Sequence, residues 1–141
     1  MQTLRDIYTP MERSWRSIYS RLSWVAVLLW MGAIFISSSY PVPETVARVP
    51  DKGLHFAAYF VLGFLYGNAF TTGFQTRLKL RHVVWATALS TAFGALDEWH
   101  QNFVPTRDMS AADVLFDGIG SAGAAMVCWL ATRMQKEGHS R

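Results

Sequence analysis

The sequence predicts an all-α protein: a bundle of four membrane-crossing helices with both termini on the cytoplasmic side. Three observations carry that expectation. Only 16% of the 141 residues are charged against 51% hydrophobic, whereas soluble domains carry about a quarter charged residues. The charges are not spread evenly but cluster between four apolar runs. Lys and Arg then collect in alternate intervals, as they do in chains that weave through a bilayer. Mean hydropathy is only +0.15, so the distribution of charges, not the average, makes the argument.

The runs are 22–37, 53–70, 82–96 and 111–132. A helix needs about 17 to 25 residues to cross the hydrocarbon core, so the first and third must borrow polar residues at their ends. None of the runs shows the charged stripe of period 3.6 expected of a soluble bundle. If all four cross, ten cations fall on one side: Arg5, Arg13, Arg16, Arg21, Arg77, Lys79, Arg81, Arg133, Lys136 and Arg141. Less Asp6, Glu12 and Glu137, that side carries +7. The other side holds Arg48, Lys52 and Arg107 against seven acids (Glu44, Asp51, Asp97, Glu98, Asp108, Asp113, Asp117), a net of −4. Positive-inside orientation makes the first side cytoplasmic.

The chain divides into a basic segment 1–21, a four-helix membrane domain 22–132 and a cytoplasmic tail 133–141. The first segment has no cleavage site of the signal-peptide kind. Its Ile7, Met11, Trp15, Ile18 and Leu22 recur at helical spacing among arginines. That fits an amphipathic helix lying on the membrane surface, interrupted at Pro10, and equally a basic tail. A pI near 9.3 does not imply nucleic-acid binding, because the cations form separate groups rather than one stripe with interleaved aromatics. Cys128, the single cysteine, excludes an intrachain disulfide and reads as a small buried hydrophobe.

The unusual polar residues gather at the outer ends of runs two, three and four. Run two opens with Asp51, Lys52 and His55, with Tyr59 a turn further on the same face. Run three closes with Asp97, Glu98, His100 and Gln101. Arg107 and Asp108 follow in the loop, and run four opens with Ser110, Asp113 and Asp117. Some of these have structural roles available. Asp51 can cap a helix, and Ser110 with Asp113 has capping-box spacing that leaves Asp113 exposed and ionised. Others resist such roles. Asp97 and Glu98 fall at a helix C-terminus, where the macrodipole disfavours anions, so they need cations, with Lys52, His55 and Arg107 in reach. Arg107 is expected to pair directly with one of Asp97, Glu98, Asp113 or Asp117. Asp117 lies two turns into its run, where an ionisable group marks either function or a buried salt bridge. Asp113, Asp117, Gly120 and Ala124 share a stripe whose small members allow close helix packing.

At these residues the chain resembles the VanZ-like family of bacterial membrane proteins. DKGLHFAAY is similar to the family's D-K-x-x-H-F-x-x-Y pattern through Asp51, Lys52, His55, Phe56 and Tyr59. DEWHQNFVPTRDMSAAD is similar to D-E-x-x-Q-x-F-x-P-x-R-x-x-S-x-x-D through Asp97, Glu98, Gln101, Phe103, Pro105, Arg107, Ser110 and Asp113. The chain departs from the family at Asp117, often Asn, and at Ala124, commonly Gly. The resemblance implies a multi-pass protein of the bacterial inner membrane with a cell-envelope role, since the family's namesake confers low-level resistance to the lipoglycopeptide teicoplanin. It implies no reaction.

Three functions remain open on the sequence. One is a binder of a lipid-linked or lipidated ligand at the outer leaflet, with membrane lipids as its other partners. The second is a membrane hydrolase or transferase using Asp97, Glu98, His55 and Asp113 as acids and bases. The third is a transporter, against which the polar residues stop at one end. The carboxylates and imidazole suit Mg2+ or Mn2+, but no ligand-spacing motif is present, so the sequence assigns no metal and no cofactor.

Overall fold

The computed structural model describes residues 4–41, 51–105 and 107–137, with side chains over 14–41, 51–105 and 107–134. Glu44, Arg48 and Arg141, and the side chains of Arg5, Asp6, Ile7, Met11, Glu12, Arg13, Lys136 and Glu137, lie outside what is described. Four helices follow one another: α1 Leu4–Ser38, α2 Asp51–Phe70, α3 Leu80–Gln101 and α4 Ala111–Glu137. Each contains its predicted apolar run, and runs one and three extend into polar flanks as their shortness required. No break marks Pro10: α1 passes through it and continues into the first apolar run as one helix of 35 residues. Proline removes one intrahelical donor. Here the helix runs on regardless, so the described part of the N-terminal segment is helical and continuous with the first apolar run rather than a tail.

Three stretches are long and apolar enough to cross a membrane, Ser14–Ser38, Asp51–Phe70 and Ala111–Met134. α3 matches them in length but carries Arg81, His82, Asp97 and Glu98. Its polar residues face inward and its outward face is apolar: Ser90, Asp97 and Glu98 are buried, whereas Val84, Trp85, Leu96 and Trp99 are each more than half exposed, at 58–63%. The same inversion holds throughout. Leu28, Leu29, Leu115 and Val127 are exposed while Thr71, Asp117 and Ser121 are fully buried. Exposed apolar surface of that extent marks contact with lipid rather than water.

The helices alternate in direction, so the end of α1, the start of α2, the end of α3 and the start of α4 meet at one end of the bundle. α2 packs most extensively on α4, and α3 on α4 next. Small residues set that approach: a Cβ on Gly63 would strike the Ser121 backbone, and one on Gly120 would strike the Phe56 carbonyl. The small-residue stripe of α4 is therefore a packing surface, as expected. Ser121 also bonds across to α3, its hydroxyl 2.9 Å from Ser90 Oγ. Trp30 of α1 donates its indole N–H to the Ala58 carbonyl of α2 at 2.9 Å. Cys128 is buried and unpaired in the core.

Candidate functional site

The common end of the four helices holds the site. α2 begins at Asp51, so His55 lies one turn in, on the face that meets α3 and α4. α4 begins at Ala111, with Ser110 as its cap: Ser110 Oγ accepts from the Asp113 backbone N–H at 3.3 Å. That half of the expected capping box forms. The Asp113 carboxylate, however, is only 6% exposed, not the solvated cap the sequence led us to expect, because α2 and α3 close over the first turn of α4. Its Oδ1 has no hydrogen-bond partner.

His55 stands between two carboxylates from different helices. Its Nδ1 is 2.9 Å from Asp117 Oδ1, and its Nε2 is 3.6 Å from Glu98 Oε1. Asp117 is fully buried, and its second oxygen has no partner. Gly94 of α3 makes room for that oxygen, since a Cβ there would collide with it. Glu98 also takes the Ser110 backbone N–H on Oε2 at 2.8 Å and the Gln101 amide on Oε1 at 3.3 Å. Its neighbour Asp97 is held by Ser38 Oγ of α1 at 2.6 Å and by Gln101 Nε2 at 3.1 Å. The two anions at the end of α3 thus find donors in Gln101 of their own helix, in Ser38 of α1 and in the Ser110 backbone, with His55 of α2 beside Glu98. The Tyr59 hydroxyl, a turn below His55, is buried without a partner.

Arg107 does not pair with any of the four acids. Its Nη1 donates to Gln101 Oε1 at 3.1 Å, while Nε and Nη2 donate to the carbonyls of Tyr40 at 3.0 Å and Ser37 at 3.3 Å. The physical reason is competition on both sides. Asp97 and Glu98 already have donors, and the last turn of α1 offers free carbonyls, which attract a cation. Arg107 reaches the acids only through the Gln101 amide. Lys52 is exposed and joins none of the described ion pairs, so it is not part of the cluster. Asp51, also exposed, comes within 4.8 Å of the ligand atoms of His55 and Asp113.

α1 contributes what the sequence reading missed. Ser37, Ser38 and Tyr40 line the site, and Ser39 Oγ lies 3.0 Å from His100 Nε2. The available signal was the run Ser37-Ser38-Ser39 closing an otherwise apolar stretch. Between α1 and α2 an open cleft of about 420 Å³ leads to the cluster. Ile34, Tyr40, Leu54 and Ala58 form its apolar walls, with Ser38, Asp51, His55 and Arg107 at its polar side.

Fold and site together define the class: a small helical membrane protein with a buried imidazole–carboxylate cluster at one end of its bundle. Comparison with known protein families, with characterised proteins and with solved structures finds no match. The functional reading therefore rests on the site's own chemistry.

Proposed function

We propose that this chain is a VanZ-like protein of the bacterial inner membrane that crosses it four times and binds a lipid-linked or lipidated ligand at the outer leaflet. One observation carries the reading: the cleft between α1 and α2 is apolar along its walls and polar where it meets the cluster. A molecule with an acyl portion and a polar head fits that division, whereas a water-soluble substrate gains nothing from walls that face lipid. The apolar outward face of α3 supports a fourth crossing, and the excess of Lys and Arg in alternate loops supports cytoplasmic termini. The rim of the same end bears Tyr40, Trp99 and Phe103, each more than 60% exposed, in keeping with aromatic anchors at a membrane interface. The envelope role, including tolerance of teicoplanin, rests on the family resemblance.

The test is to purify the protein in native lipid and identify by mass spectrometry what stays bound. One lipid-linked species should be enriched over the bulk lipid, and Asp97→Asn should lose it. Recovery of bulk lipid alone, unchanged by Asp97→Asn, would sink the reading. Orientation is tested separately. Reporters fused after Arg81 and after the C-terminus should read cytoplasmic and one at Asp108 periplasmic; a cytoplasmic reading at Asp108 removes the outer-leaflet assignment.

A second reading has its own support. A histidine held between two buried carboxylates is an arrangement suited to general acid–base chemistry, so a membrane hydrolase or transferase acting on the same lipid-linked ligand is the alternative. Conversion of the co-purified lipid on incubation, absent in His55→Ala, would favour the enzyme.

A further inference from the structure

We propose that Asp51, His55 and Asp113 form a binding site for one divalent cation, of the Mn2+ or Zn2+ class, at the inner end of the cleft. Three observations converge on it. One ligand atom from each of the three residues lies within 4.8 Å of the others, so small side-chain rotations bring all three to the roughly 2.0–2.2 Å that such ions require. Asp113 is 94% buried, being 6% exposed, and its Oδ1 has no hydrogen-bond partner. A buried carboxylate oxygen without a donor is costly unless something positive meets it. Finally, the imidazole is oriented from behind. Asp117 Oδ1 lies 2.9 Å from Nδ1, a contact that fixes the ring and, with the carboxylate accepting, puts the proton on that nitrogen. Nε2 makes no hydrogen bond among the described residues, its nearest acid being Glu98 at 3.6 Å, and is the nitrogen left for a cation, as in the carboxylate–histidine–metal relay that supports metal ligands elsewhere.

The donor set selects the ion. Two carboxylates and one imidazole are harder than the thiolate sites that favour Cu(I), and softer than the all-oxygen sites of Ca2+. Three protein ligands leave coordination positions open. Asp51 and His55 line the cleft, as does Arg107, so the open positions fall where an anionic head group would enter, with the guanidinium nearby. This deepens the lipid-binding reading and rests on it for its biological meaning. The cation would bridge the protein to a phosphate or carboxylate of the ligand. It also explains why acids so outnumber cations at this end.

The experiment uses the full chain in detergent, stripped with EDTA and titrated with MnCl2, free Mn2+ being followed by electron paramagnetic resonance. One ion per chain should bind, and Asp51→Asn and Asp113→Asn should each weaken binding by roughly tenfold or more, about 1.4 kcal/mol. Asp108→Asn, an exposed acid outside the triad, should leave it unchanged. Should Asp113→Asn fail to fold, Asp51→Asn decides, because Asp51 is exposed. No binding up to about 1 mM, or equal binding by wild type and Asp51→Asn, overturns the site. The two proposals fail separately. Lipid retained by protein that binds no Mn2+ removes the cation site alone; Mn2+ bound by protein that retains no specific lipid removes the ligand alone.

Discussion

The two ends of the bundle are built from the same kind of helix and both bury polar side chains, yet they are opposite in electrostatic character. At the end bearing the α2–α3 loop, the buried polar groups are neutral and satisfied close to home. Ser23 Oγ donates to the Tyr19 carbonyl at 2.9 Å and accepts from Asn68 Nδ2 at 3.3 Å. Thr71 Oγ1 donates to the Gly67 carbonyl at 2.6 Å and accepts the Phe74 N–H at 3.0 Å. That hydroxyl supports a left-handed turn in which Thr72, Gly73 and Phe74 all have positive φ, 52°, 76° and 60°. Tyr19 lies against Gly73, where a Cβ would strike its ring. At the other end four buried carboxylates gather, two of them against one imidazole, and oxygens of Asp113 and Asp117 remain without donors. Polar groups that serve only the fold are neutral and closed. Those left charged and open are the ones a ligand can use.

If that contrast is correct, the largest effect follows from removing the imidazole that stands between two acids of different helices. His55→Ala strands Asp117, whose side chain has no other described partner, and takes the nearest cationic group from Glu98. Breaking a buried pair by deleting one partner costs about 3–5 kcal/mol, so the variant should melt well below wild type in detergent and lose bound ligand. Wild-type melting and ligand retention in His55→Ala would show that the cluster is not the coupled unit described here.

A smaller pair of changes tests the two ends directly. Gly94→Ala places a methyl against the Asp117 carboxylate, which should disturb the His55 contact and cut ligand retention several-fold. Gly67→Ala, in the other half of α2, meets only ordinary contacts with Cys128 at 3.5 Å. Replacing a helical glycine there should leave ligand retention unchanged and raise stability by up to about 1 kcal/mol. Equal loss of ligand in both would mean that general packing, not the carboxylate, sets retention.

Much of this was legible in the sequence, for reasons that differ by residue. The four helices follow from apolar runs separated by charge, a one-dimensional signal that the bilayer makes strong. The convergence of His55, Glu98, Asp113 and Asp117 was legible because alternating helices must bring the start of α2, the end of α3 and the start of α4 together. The partners were not. Arg107 was assigned to the acids by charge alone, but pairing depends on which donors already occupy them: Ser38 appears only once α1 is placed, and the Gln101 amide and Ser110 backbone N–H only once the end of α3 meets the start of α4. Backbone groups carry no residue signature, so the carbonyls of Ser37 and Tyr40 that take the guanidinium could not be read off. Burial of Asp113 likewise depends on how closely α2 and α3 pack over it, which the glycines allow but do not announce.

Asn68→Ala probes the closed end. It removes one interhelical hydrogen bond, and such bonds in membranes average about 0.6 kcal/mol. Melting should fall slightly, with ligand retention and Mn2+ binding at wild-type levels. Loss of Mn2+ binding in this variant would join the two ends and undo the contrast between them.

The smallest effect is expected at the most buried acid. Asp117→Asn keeps the shape and one carbonyl oxygen, which can still accept from His55 Nδ1 at the position Oδ1 holds now. The amide nitrogen would then occupy the place of Oδ2, which has no donor to lose. The imidazole keeps its tautomer and its orientation, so the variant should retain ligand nearly as well as wild type and bind Mn2+ only a few-fold more weakly. The contrasting variant is Asp113→Asn, which removes a charge with no protein partner and should abolish ligand retention while the protein still accumulates in the membrane. Abundance must be measured in parallel, so that loss of ligand is not confused with loss of protein. If Asp117→Asn proves as defective as Asp113→Asn at equal abundance, the charge on Asp117 is required, and its role is more than that of an acceptor holding His55 in place.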